Sequence, residues 1–164
     1  MIRVTLGKRV GIIGCGKMGE ALLAGLLKAR TADRANILVS DVEPKRRKLI
    51  SERYSVRCSS ENADVVKESD IIVLSVQPKD MPNALNSIKD ALNSGKLLIS
   101  IAAGVTTEYI QRALNKRIDL VRAMPNNPCT IGEGMIVLTT GGGTPISRLE
   151  EAIQIFETVG RTQI

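Results

Sequence analysis

Short apolar runs alternate with longer stretches of mixed polarity from Val10 to the end of the chain, and that alternation sets the expected fold class. Val10-Gly11-Ile12-Ile13, Ile37-Leu38-Val39, Ile71-Ile72-Val73-Leu74-Ser75-Val76 and Leu97-Leu98-Ile99-Ser100-Ile101 are nearly continuous apolar runs. Such runs mark strands buried on both faces. After the first of them, Met18, Ala21, Leu22, Leu26 and Ala29 recur largely at three- and four-residue steps, which predicts a helix with one buried face. Pro44 suits the first turn of a helix running to about Arg53. A short strand around Val56 and a small helix from about Asn62 to Glu68 follow. Pro78 stops the strand at Ile71–Val76, and Asp80 is placed to cap the helix that carries Leu85, Ile88 and Leu92. Thr106 or Thr107 is placed to cap the next helix. Leu120–Met124 and Gly134–Leu138 read as further strands, Gly141-Gly142-Gly143 as a flexible connector, and about Ile146 to Val159 as the last helix. Alternating strands and helices predict an α/β fold of the doubly wound Rossmann type, a mostly parallel sheet with helices on both faces. No repeat or long linker divides the chain, so one domain over residues 1–164 is expected.

The first strand-to-helix turn carries the clearest chemistry. Gly14, Gly16 and Gly19 form Gly-x-Gly-x-x-Gly between a predicted strand and a predicted helix. The first glycine permits the tight turn, the second lets backbone amides approach a pyrophosphate, and the third brings helix and strand together. The open helix N-terminus then offers N–H groups and a partial positive charge to phosphates. A dinucleotide of the NAD or NADP type is the expected ligand. Asp41 ends the second strand about 20 residues beyond the turn, where a carboxylate accepts hydrogen bonds from the adenosine ribose of NAD. Lys45 and Arg46 follow closely and could neutralise the extra phosphate of NADP, or simply decorate the outer face of the next helix. The residues leave the two cofactors open.

Three loops leave the carboxyl ends of later strands: Val76-Gln77-Pro78, Ala102-Ala103-Gly104-Val105 and Met124-Pro125-Asn126-Asn127-Pro128. In an open parallel sheet ligands bind beyond those ends. No nucleophile beside a base and no pair of carboxylates is evident, so no residue is assigned as catalytic; in hydride transfer the cofactor carries the chemistry.

Composition narrows the partners. The net charge of +6 raises nucleic acid as a ligand, but two tyrosines and one phenylalanine cannot build a base-stacking platform. A basic surface that attracts a small anion, or a solvated one, fits better. Three separated cysteines and no histidine show neither disulfide framework nor metal spacing, so no metal is expected. Met1 to Arg9 is too polar for a signal peptide, and no run approaches membrane-spanning length, which predicts a cytoplasmic protein without a membrane anchor.

At this point the chain resembles pyrroline-5-carboxylate reductase, which reduces a cyclic imine to proline. The resemblance rests on Gly11 to Leu22, Val76-Gln77-Pro78-Lys79, Ser100 to Val105 and Arg122 to Pro128. It implies that Ile13, Gly14, Cys15, Gly16, Lys17 and Met18 surround the pyrophosphate, with Asp41 near the adenosine ribose and Asn62 beside the adenosine end. Val76, Gln77, Pro78 and Ala103 would lie along the nicotinamide half, and Asn126 on the route to the imino-acid substrate. Two positions depart from the family: Gln77 stands where lysine is usual, and Asp41 where a small polar residue often accompanies NADP. The family continues into an all-helical C-terminal domain that forms a homodimer or larger assembly and supplies much of the substrate pocket. That domain has no counterpart in these 164 residues. Two other readings stay open: a related reductase, such as a hydroxy-acid dehydrogenase or a deazaflavin–NADP oxidoreductase, and a stand-alone NAD(P)-binding module without turnover.

Overall fold

The computed structural model describes residues 5–164; Met1–Val4, the beginning of the polar segment that predicts no signal peptide, lie outside them. The chain runs β1 (Val10–Ile13), α1 (Lys17–Ala29), β2 (Ile37–Ser40), α2 (Pro44–Tyr54), β3 (Arg57–Ser59), α3 (Asn62–Glu68), β4 (Ile71–Leu74), α4 (Met81–Ile88), β5 (Leu97–Ser100), α5 (Thr107–Leu114), β6 (Asp119–Met124), β7 (Gly134–Thr140), α6 (Ile146–Phe156) and β8 (Gly160–Gln163). These strands form one eight-stranded sheet in the order β3-β2-β1-β4-β5-β6-β7-β8. Neighbours from β3 across to β6 are parallel. The order reverses at β1, which lies between β2 and β4. Their carboxyl ends diverge there into the crevice where open α/β sheets take ligands.

The far end of the sheet follows a different rule. β7 pairs antiparallel with β6, and β8 returns parallel to β7. The link from Met124 to Gly134 holds only a 3₁₀ turn at Asn127–Ile131. A parallel partner would have needed a crossover of a dozen or more residues, usually a helix. Between β7 and β8, α6 supplies that crossover.

Both faces of the sheet are packed, which is why the central strands read as unbroken apolar runs. On one side Ile12, Val73 and Ile99 meet Leu22, Leu23 and Leu26 of α1 and Leu149, Ile155 and Phe156 of α6. On the other, Ile13, Ile72, Leu74 and Leu98 meet Val65 of α3, Met81, Leu85 and Ile88 of α4, and Ile110 of α5. Successive strand residues point to opposite faces, so each apolar run serves both layers.

Several local expectations change: β4 ends at Leu74 rather than Val76, and α4 ends at Ile88, leaving Leu92 beyond it. Asp80 precedes α4 but its side chain makes no capping bond. Pro78–Asp80 is a 3₁₀ turn leading into the helix, and Pro82 in the first turn of α4 has no N–H that needs an acceptor. The last helix ends at Phe156 rather than Val159, because the chain turns there to enter β8. Thr106 does cap α5, its hydroxyl accepting the Tyr109 N–H at 3.2 Å. Among the described residues no helix is long and apolar enough to cross a membrane.

Phe156 is the largest fully buried side chain in this aliphatic core. Phe156→Ala is expected to lower the unfolding free energy by about 3–5 kcal/mol, measured by denaturant titration, because the small neighbours cannot close the cavity.

Candidate functional site

The turn between β1 and α1 is locked to its neighbours on both sides. The Gly14 N–H donates to the Ser40 carbonyl of β2 at 2.8 Å, and the Ser75 N–H beyond β4 donates to the Ile13 carbonyl at 2.8 Å. Gly14 has φ +87°, and a Cβ there would lie 2.6 Å from the Ser75 carbonyl oxygen. A Cβ at Gly19 would run into the Gly14 carbonyl oxygen. Both positions therefore require glycine to let α1 approach the sheet. Gly16 differs, since a Cβ there would meet nothing within 4 Å. The space above it is open.

That opening faces an uncapped helix. Gly16 is the N-cap of α1 and no side chain caps the helix. The first carbonyl bond of the turn is Glu20 N–H to Gly16 O at 2.9 Å. The amides of Gly16, Lys17 and Met18 have no acceptor among the described residues. Unpaired N–H groups at a helix mouth, with the helix dipole behind them, make a site for an anion.

A cleft of about 760 Å³ runs across this mouth, within the range of small-molecule and cofactor sites. Ile13, Gly14 and Gly16 form its floor. Asp41, Val42, Glu43 and Asn62 line one end, and Ser75, Val76, Gln77 and Lys79 the other. Asn83, Ala84 and Ser87 of α4 close the wall between them. The two ends are therefore formed by the loops on either side of the sheet's switch point.

The Asp41–Asn62 end is fixed by hydrogen bonds. Asp41 accepts the Cys15 N–H on one oxygen at 2.9 Å and the Glu43 N–H on the other at 3.0 Å. The buried Ser40 hydroxyl donates to Asn62 Oδ1 at 2.7 Å, and Asn62 Nδ2 donates to the Ser87 hydroxyl at 3.0 Å. Asn62 thus ties β2 to α4 across the cleft.

The residues expected around a dinucleotide separate into three groups. Ile13, Gly14, Gly16, Asp41, Asn62, Val76 and Gln77 line the cleft. Cys15, Lys17 and Met18 belong to the turn but are outside the lining residues, and the Cys15 N–H is taken by Asp41. Cys15 is fully buried, and Met18 packs partly into the α1–α6 core. Burial pushes the Cys15 thiol up to about 12, outweighing the nearby Arg46 charge, so it stays protonated and inert. Pro78 and Ala103 are exposed on the neighbouring loops, outside the lining residues, as is Asn126. Asn126 instead fixes its own loop, its Oδ1 accepting the Met135 N–H at 2.9 Å.

A polar network that spacing does not reveal holds the turn from outside. Arg46 of α2 donates to the carbonyls of Cys15 and Gly16 and pairs with Glu20 of α1. Glu20 also accepts from Arg53 at 2.6 Å and from the Tyr54 hydroxyl at 2.8 Å. Arg47 donates to the carbonyls of Asp41 at 2.7 Å and Val42 at 3.1 Å. In sequence these are ordinary cations on a helix face. Only the approach of α2 to α1 gives them their targets.

Comparison with known proteins adds to this geometry. Residues 9–104 match the family described as NADP oxidoreductase, coenzyme F420-dependent. The pyrroline-5-carboxylate reductase of Methanosarcina acetivorans is 38% identical over 153 residues, 93% of this chain and 57% of that protein. That of Escherichia coli is 31% identical over 157 residues, 96% of this chain and 58% of that protein. Among solved structures, a pyrroline-5-carboxylate reductase from Coxiella burnetii matches with a TM-score of 0.90 at 28% identity, covering 94% of this chain and 57% of its own. The Plasmodium falciparum pyrroline carboxylate reductase with NADP bound gives 0.85 at 28% identity, covering 97% and 58%. This chain therefore spans a little over half the length of the relatives it matches.

Glu20 offers a direct test of the network. Burial alone would raise its carboxyl, but hydrogen bonds from Tyr54, Arg53 and Arg46, with the Arg46 charge, hold it below the ordinary value. A carboxyl depressed in the folded state stabilises the fold at pH above its unfolded value, and that contribution is lost as pH falls through the folded one. Glu20→Ala is expected to lower stability by about 2–3 kcal/mol at pH 7, with the difference from the parent protein shrinking below the usual carboxylate range, followed by thermal unfolding against pH.

Proposed function

The chain belongs to the family of coenzyme F420-dependent NADP oxidoreductases, and from that membership we propose that residues 1–164 form the NAD(P)-binding domain of a pyrroline-5-carboxylate reductase. The observation that carries the cofactor reading is the uncapped N-terminus of α1, whose N-cap Gly16 lines a cleft of about 760 Å³ with open space where a Cβ would stand. Within the family, pyrroline-5-carboxylate reductase is favoured over a deazaflavin-dependent enzyme because the similarity to those reductases covers 93% of the chain or more, beyond the residues matched to the family as a whole.

The residues present fit a dinucleotide. The α1 amides would hold the diphosphate, Asp41 and Asn62 the adenosine side, and Val76 and Gln77 the nicotinamide side. When bound, NAD(P)H supplies the hydride for the C=N carbon of L-1-pyrroline-5-carboxylate, giving L-proline once the nitrogen carries its proton. The domain's own part is positioning: the locked turn fixes the diphosphate, and the 3₁₀ turn after Gln77 holds the second loop. Orientation of this kind lowers a barrier by removing the entropy of alignment. No side chain of the cleft is assigned a proton-transfer role. The imino-acid pocket and a homodimeric assembly belong to the longer enzyme, with Asn126 on the approach to that pocket and Pro78 and Ala103 flanking the nicotinamide. A cytoplasmic location goes with this reading.

Gly16 separates binding from folding. Gly16→Ala has room in the folded chain but puts a methyl group where the diphosphate would lie. It is expected to weaken NAD(P)H binding about tenfold or more, read by nicotinamide fluorescence, with the unfolding midpoint little changed. Gly19→Ala is expected to lower the midpoint itself. Equal affinity of Gly16→Ala and the parent would remove the diphosphate assignment. For the reaction, this chain extended by the C-terminal half of a relative should reduce the imine while the 164 residues alone should not; equal turnover by both would refute the division of labour.

A further inference from the structure

We propose that the adenosine end of the cleft is built for NAD(H) and against NADP(H), with Asp41 as the selecting residue and Glu43 reinforcing it. This rests on the dinucleotide reading above and specifies which dinucleotide the site takes.

NAD and NADP differ at one place, a ribose 2′-hydroxyl against a 2′-phosphate. A hydroxyl can donate a hydrogen bond to a carboxylate, whereas a phosphate brings added negative charge and asks for cations. Both side chains needed to decide between them are on the cleft wall. Asp41 and Glu43 line the same end, next to Val42 and Asn62. Asp41 is anchored there by two backbone amides, Cys15 N–H at 2.9 Å and Glu43 N–H at 3.0 Å. Each bond occupies one lone pair of an oxygen that has another to offer. The carboxylate is held in place, and turning it away to admit a phosphate would leave the Cys15 amide without its acceptor.

The cations that could counter this charge are committed elsewhere. Arg46 points back over the glycine turn, donating to the Cys15 and Gly16 carbonyls and pairing with Glu20. Glu20 is in turn fixed by Arg53 and Tyr54. Arg47 donates to the carbonyls of Asp41 and Val42, bracing the acidic loop from behind. Lys45 is exposed on α2 and is outside the residues that line the cleft. Lys79 lines it, but after β4, among the residues of the opposite end. So the ribose end presents two carboxylates, and the arginines beside it are spent on backbone and on Glu20.

The experiment is a titration of the 164-residue protein with NADH and, separately, NADPH, following nicotinamide fluorescence, for the parent, Asp41→Ser and Glu43→Gln. The parent is expected to bind NADH about tenfold or more tighter than NADPH, since like charges at a close site oppose binding strongly. Asp41→Ser should narrow or invert that ratio, mainly through tighter NADPH binding, and Glu43→Gln should narrow it less. Because Asp41 also anchors Cys15, its variant is checked by unfolding midpoint; should it not fold, Glu43→Gln decides. NADPH binding as tight as NADH in the parent overturns the proposal while leaving the dinucleotide site standing. An unchanged ratio in the folded variants also overturns it. Binding of neither cofactor removes the dinucleotide reading, and this proposal with it.

Discussion

Everything in this cleft depends on how closely α1 can approach the sheet. Its N-terminal amides are useful only if they sit at the crevice between β1 and β4, and that position is set by two contacts with no room for a side chain. Gly14 lies against the Ser75 carbonyl, and Gly19 against the carbonyl of Gly14. A methyl group at either would push the helix away and spread its first turn out of register with the strand ends. The parallel pairing of β2, β1 and β4 then places the Asp41 and Gln77 loops on either side of that turn. An anion site at a helix mouth and two flanking walls follow from the same constraint.

Residues of α2 brace the turn from outside. Arg46 donates to the Cys15 carbonyl and adds a second bond to the Gly16 carbonyl, while Glu20 balances its charge and gathers Arg53 and Tyr54. Glu20 is mostly shielded from solvent, with 16% of its side chain accessible. In that setting charge-assisted hydrogen bonds are stronger than at an open surface. The same arrangement removes Arg46 from the cleft. One ion pair therefore both steadies the glycine turn and shapes the charge that a ligand's ribose would meet.

The two ends of the sheet have separate roles. From β3 to β6 the strands run parallel between two helical layers and share one ligand-facing edge. Beyond β6 the sheet turns antiparallel and then parallel again, with α6 covering one side. Met124, Met135 and Val137 are exposed on these outer strands. Among the described residues none of that region lines the cleft, and Asn126 holds the Met135 N–H there.

Much of the fold was legible in the order of residues. Unbroken apolar runs such as Ile71–Leu74 identify strands covered on both faces, and the glycine spacing marks the phosphate turn, because both signals depend on neighbours along the chain. The same holds for Asp41 at the end of β2 and for Thr106 at the start of α5. What the sequence could not decide are contacts between residues far apart in it: the bond from Asn62 to Ser40 and Ser87, the α4 wall of Asn83, Ala84 and Ser87, and the destinations of Arg46 and Arg47. Lys45, Arg46 and Arg47 are alike as letters, consecutive cations on one helix. Packing α2 against α1 gave two of them carbonyls to bind and left the third in solvent. A hydrogen bond needs its partner within about 3 Å, and only the assembled tertiary structure supplies that distance.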